Sequence, residues 1–128
     1  MARAKTFRPP ELKRSGVLAR VQQQRRWGAE RANEAEEWYR RHLRIAFERG
    51  GKPVYVIHRD ADVLWHTHIT FTKAYRDYCL DVFGEFLDHT PLPPGGRPPS
   101  AAVIAAGLAE YKKRDWFLKK IWSGTGCH

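Results

Sequence analysis

Asp62, His66, His68, Cys79, Asp88 and His89 crowd into one short stretch of the chain, the densest set of metal-capable side chains in the sequence. Imidazole and thiolate together suit zinc, copper or iron better than magnesium or calcium, which prefer shells made only of oxygen. The pattern therefore points to one transition-metal ion, zinc ahead of copper or iron. His66, His68 and His89 are the expected imidazole ligands, with Cys79 or Asp62 as a fourth group. Where three protein ligands leave a position open, a metal acts as a Lewis acid or activates a bound water or thiol. Tyr75 or Asp62 would then handle protons.

Backbone geometry tests this set. His66 and His68 are two residues apart, and such side chains share one side only when the backbone is extended. In a regular helix they diverge by about 200°. If the segment is helical instead, Asp62 and His66 share a face at i,i+4, and Asp62 serves as ligand or as the acceptor that fixes a histidine tautomer. His89 follows Gly84 and precedes Pro91, in a turn able to fold back on the helix before it. Other readings use the same residues. Cys79 lies on an apolar face and fits a small core residue, His66 after Trp65 fits a hydrogen-bonded core histidine, and a Cys79–imidazole pair would be a nucleophile. His42 and His58 read as surface or packing residues, and Cys127 and His128 as a frayed end.

Three elements must position these groups. From Val17 to Arg49 the chain is rich in helix formers, free of proline, and sets Trp38, Leu43, Ile45, Ala46 and Phe47 among charges before Gly50 and Gly51, which predicts one long amphipathic helix. Glu36 with Arg40 and Glu37 with Arg41 support it at i,i+4, each by about 0.2 to 0.5 kcal/mol. Val54–Ile57 reads as a short strand or buried connector. Phe71, Tyr75, Tyr78, Cys79, Val82 and Phe86 recur at helical spacing, with Thr70 or Thr72 as cap and Gly84 as stop. The proline-rich run from Pro91 to Pro99 reads as a loop. Ser100 caps a third helix with Val103, Ile104, Leu108 and Tyr111 on one face, extending toward Phe117, Leu118 and Ile121. The expectation is a mainly α, small single-domain protein: a basic flexible arm over 1–16 without core, then a helical domain over 17–128 with about three main helices and a short extended segment near 53–58.

Along Asp62-Val63-Leu64-Trp65-His66-Thr67-His68, then Tyr75, Cys79, Phe83-Gly84 and Asp88-His89, the sequence resembles the glycine-rich domain-containing protein family of plants and bacteria. That family carries D-x-x-W-H-x-H, a Tyr, a Cys, a Phe-Gly pair and one or two His. The resemblance covers roughly residues 61 to 91 and implies Asp62, Trp65, His66, His68, Tyr75, Cys79 and His89 as one functional unit. The chain departs from it at Asp88, where bacterial relatives often have a second histidine, and in lacking a glycine- and cysteine-rich tail beyond Gly124, Gly126 and Cys127.

The 128 residues carry a formal charge of +9, with Arg3, Lys5, Arg8, Lys13, Arg14, Arg20, Arg25 and Arg26 near the amino end. Such a balance favours anionic partners, whether nucleic acid, an acidic protein or a small anionic substrate, without fixing which. A basic module needing no metal, with Trp27 and Trp38 among its Arg-rich helix faces, is thus the alternative function. A third reading is a structural or interaction protein with well-packed histidines. No Walker-type glycine loop is present, which argues against nucleotide binding. Two distant cysteines and no apolar leader imply a cytoplasmic protein with free thiols. No apolar run approaches the roughly 20 residues of a membrane span.

Overall fold

The computed structural model describes residues 6–52, 54–89 and 99–117. Within them the chain is helical, as the sequence predicts, and contains no strand. Among the described residues there are five α-helices: α1 (Val17–Arg25), α2 (Ala29–Glu48), α3 (Arg59–Thr70), α4 (Thr72–Phe83) and α5 (Ala101–Lys112), preceded by a 3-10 turn at Lys13–Ser15. None of these helices is long and apolar enough to cross a membrane.

The single long helix expected from Val17 onward is two. Arg26 takes a left-handed φ of 57°, and the extended Gly28 begins α2. Gly28, a weak helix former inside the expected span, is the sequence signal for this break, and Trp27 beside it is buried in the core. Downstream, Val54–Ile57 proves to be the connector, with Val56 and Ile57 buried. α5 ends at Lys112, short of Phe117, and Asp115 turns the chain with a φ of 57°. The proline-rich loop other than Pro99, and Leu118 onward with Cys127 and His128, lie outside the described residues.

α2 and α3 form the centre. The inward face of α2 carries Ala35, Trp38, Tyr39, His42, Leu43 and Ala46, all buried. Buried Ala61, Leu64 and Trp65 come from α3, and Tyr75, Tyr78, Cys79 and Val82 from α4. Leu12, in the stretch to which the sequence assigns no core, is also buried, and its N–H donates to Glu36 at 3.0 Å. Glu36 therefore pins the amino-terminal segment as well as facing Arg40 across a turn. α5 covers the connector at close range. A Cβ on Gly107 would stand 2.9 Å from the Tyr55 carbonyl, so only glycine admits this approach.

Candidate metal centre

α3 starts with a side-chain cap: Nδ1 of His58 accepts from the Ala61 N–H at 3.1 Å, while the His58 ring stacks on Trp38. His58, expected to be a surface or packing residue, caps the start of the helix. Asp60 and Asp62 fall in the first turn, where the helix dipole favours a carboxylate. They diverge in role. Asp60 faces outward and takes two hydrogen bonds from Arg31 of α2, at 2.8 and 3.1 Å, whereas the Asp62 side chain is 3% exposed.

Because this segment is helical, the i,i+4 alternative holds, and Asp62 shares a face with His66. Oδ1 of Asp62 lies 3.6 Å from Nε2 of His66. Gly84, with φ of 76°, ends α4 and turns the chain back. Leu87 on this return is buried, and its carbonyl accepts from the Tyr75 hydroxyl at 2.5 Å. His89 then lands flat on Trp65, ring centroids 3.9 Å apart, with Nε2 at 3.0 Å from both Asp62 Oδ1 and His66 Nε2. Trp65 is held in turn, its indole N–H donating to Tyr75 at 3.0 Å.

Asp62, His66 and His89 are therefore a group whose ligand atoms all lie within 4.8 Å of one another. For bonds of about 2.1 Å, the two 3.0 Å edges of their triangle subtend roughly 90° and the 3.6 Å edge roughly 120° at a common ion. Those angles bracket one face of an octahedron and three corners of a tetrahedron. Two imidazoles and one carboxylate on a face are the donor set of open mononuclear iron and zinc sites. The His66 side chain is 30% exposed, which leaves one side of the triangle open to solvent.

The other expected groups go elsewhere. His68 points to the opposite side of α3, as helix geometry requires of a residue two positions from His66. Its Nδ1 is hydrogen-bonded to the Tyr39 hydroxyl at 2.7 Å, and its ring meets Tyr75 and Tyr78 edge to face. Burial lowers its pKa to about 4, so it is a neutral core imidazole. The groove of about 640 Å³ that His68 borders, lined also by Leu12 and Tyr78, includes none of the triangle. Cys79 is 1% exposed and outside the group. Burial pushes its thiol up, opposed in part by the Leu87 backbone and Tyr75, which is the reverse of an activated nucleophile. Tyr75, expected to handle protons, has its hydroxyl engaged by Trp65 and Leu87, and burial raises its pKa. It holds the return that delivers His89.

His42, read as surface or packing, is a central residue. It is fully buried, its Nδ1 is hydrogen-bonded to Tyr111 at 2.9 Å, and its Nε2 has no hydrogen-bond partner among the described residues. Burial, with His89 nearby, lowers its pKa to about 3. Its position one turn from Trp38, Tyr39 and Ala46 on the apolar stripe was the available signal.

Fold and cluster together define a small helical protein with a two-histidine, one-carboxylate candidate metal centre. The chain belongs to the UCP032817-like family, whose model matches residues 3–95, a span that includes all three residues of the centre. That match overturns the resemblance to the glycine-rich domain-containing family, whose motif covered only a short segment of the span. Comparison with curated proteins and with solved structures finds no significant match.

Proposed function

We propose that the protein binds one divalent transition-metal ion through Asp62, His66 and His89. A single observation supports this: three lone-pair atoms converge at 3.0, 3.0 and 3.6 Å on one small, partly open face. His89 Nε2 carries at most one proton, so it cannot donate to both Asp62 Oδ1 and His66 Nε2. A cation at the centre would serve all three. The donor set fits zinc or ferrous iron better than copper, because it lacks a thiolate or thioether.

Such an ion, with positions left for water or substrate, would supply Lewis-acid or redox chemistry. The chain's own part would be to fix geometry: Trp65 holds the His89 ring in plane, Tyr75 holds Trp65, and the first turn of α3 holds Asp62. The open side at His66 would admit a small molecule with an oxygen donor. A reducing cytoplasmic setting agrees with Cys79 as a buried free thiol.

Elemental analysis of protein purified without an affinity tag, before and after reconstitution with zinc or anaerobic ferrous iron, tests the proposal. About one ion per chain is expected, lost in a His66→Ala/His89→Ala variant and kept in His68→Gln. Wild-type protein that takes up no ion under either condition would refute it.

A further inference from the structure

The outward face of α2 carries a second arrangement, unrelated to the metal centre. Arg40, Arg41 and Arg44 stand at i, i+1 and i+4 and line, with Phe7, Pro9, Glu37 and Trp116, a groove of about 300 Å³. Like charges spaced three and four apart on a helix repel by a few tenths of a kcal/mol per pair. Compensation here is incomplete. Glu37 pairs with Arg41 at 2.5 Å, while Glu36 reaches Arg40 only at 3.5 Å and also accepts from Leu12. Among the described residues no carboxylate pairs with Arg44, which is exposed.

Two of the three guanidiniums are nonetheless held against aromatic rings. Cζ of Arg41 sits 4.5 Å from the Trp38 ring centroid and 5.7 Å from that of Trp116. Arg44 lies 5.5 Å from the Phe7 centroid. Stacking covers the faces of a guanidinium and leaves its N–H edges to hydrogen bonds that match the spacing of phosphate oxygens; on Arg41 Nη2 already donates to Glu37, while Arg44 has no carboxylate partner among the described residues. Ordering the side chains beforehand lowers the entropic cost of capturing a ligand.

We infer that this groove is a binding site for a phosphoryl group, with Arg44 as its uncompensated donor and Arg40 and Arg41 as flanking donors. A tetrahedral dianion presents oxygens to three donors at once, which a planar carboxylate does not, so the surplus of cations favours phosphate. The phosphoryl group can belong to a nucleotide or to a phosphorylated side chain, and the chemistry of capture is the same for both.

The test is titration of the full chain with inorganic phosphate, AMP and O-phosphoserine, following the Arg Nε–H resonances and backbone amides by NMR, with sodium chloride at matched ionic strength as reference. Saturable shifts confined to the 37–44 face and to Trp116 are expected with phosphate and not with chloride. Arg44→Gln, an exposed change, should weaken binding about tenfold. Arg40→Gln is a second variant and should weaken it less. Arg76→Gln, which removes one exposed charge from α4, should change it less than twofold. Tighter binding of AMP assigns a nucleotide, tighter binding of O-phosphoserine a phosphorylated side chain, and equal affinities a site that reads the phosphoryl group alone. Failure of all three ligands to saturate, or equal weakening by Arg44→Gln and Arg76→Gln, would overturn the inference.

Discussion

His66 and His89 meet at one edge of the molecule, whereas His42 and His68 are buried in its centre, and the two pairs differ in what faces them. Each inner histidine is hydrogen-bonded to one tyrosine hydroxyl, Tyr111 for His42 and Tyr39 for His68. Each is held neutral by burial, with pKa values near 3 and 4. The outer pair has instead each other and a nearly buried carboxylate, all within 3.6 Å. Imidazole density alone therefore says little. A hydroxyl partner makes a histidine part of the core, while a second imidazole with a carboxylate makes it a candidate ligand.

The largest expected effect tests that division directly. Replacing His66 and His89 by alanine should lower zinc affinity by more than about 100-fold, since it removes two direct ligands where loss of a mere supporting group costs 10- to 100-fold. His42→Gln and His68→Gln should keep the stoichiometry and lower thermal stability. Calorimetric zinc titration with parallel melting curves checks both halves. Loss of the metal in the inner variants alone would reverse the assignment.

Trp65 joins the two regions, stacking on His89 outside while packing against His42 and Tyr39 inside. It is 1% exposed, so Trp65→Ala should destabilise the fold by about 3 to 5 kcal/mol in urea denaturation. Trp65→Phe is the sharper variant. It keeps a ring beneath His89 but removes the indole N–H that Tyr75 accepts, and should lower metal affinity by about tenfold with a smaller loss of stability. Equal affinity in Trp65→Phe would mean that the return at Leu87 alone fixes His89.

The inner pair also predicts a pH dependence. His42 binds a proton in the unfolded chain near pH 6.5 but in the folded one only near 3. Between those values the unfolded state holds more protons, so its contribution is intact above about pH 6.5 and is lost as pH falls toward 3. The slope from one such group approaches about 1.4 kcal/mol per pH unit. Metal-free His42→Gln should show a shallower fall over this window, read from urea midpoints at successive pH values. An unchanged slope would mean that other groups dominate acid unfolding.

The mainly helical class was legible because Phe71, Tyr75, Tyr78, Cys79 and Val82 repeat at helical spacing and Gly84 and Ser100 mark termini that the structure keeps. The clustering of metal-capable residues was legible too, and so was the choice it turned on: an extended backbone would bring His66 to His68, a helical one to Asp62. The His-x-His spacing does not decide between these. α3 is fixed by the local His58 cap together with the long-range Arg31–Asp60 link and the burial of Leu64 and Trp65. His68 was read as a ligand because residue type does not show which side of α3 will be buried, whereas the core reading of Cys79 was legible from its place on the apolar face of its helix. The phosphoryl groove was hidden for a related reason: Phe7 and Trp116 flank α2 only once the chain is folded.

Asp60 and Asp62 give the finest test of the comparison, since they share the first turn of α3 and differ in what they face. Asp60 bonds Arg31, whose side chain is 58% exposed, and a pair so open to water and salt contributes little. Asp60→Asn should therefore cost under about 1 kcal/mol and leave metal affinity unchanged. Asp62→Asn keeps the shape of the side chain but removes the charge from the triangle, so affinity should fall steeply while the fold persists, because a neutral amide no longer draws a cation between two imidazoles. Measuring both variants by zinc titration and urea denaturation separates the roles. If Asp60→Asn weakens binding as much as Asp62→Asn, the general acidity of the helix start, and not the triangle, attracts the ion.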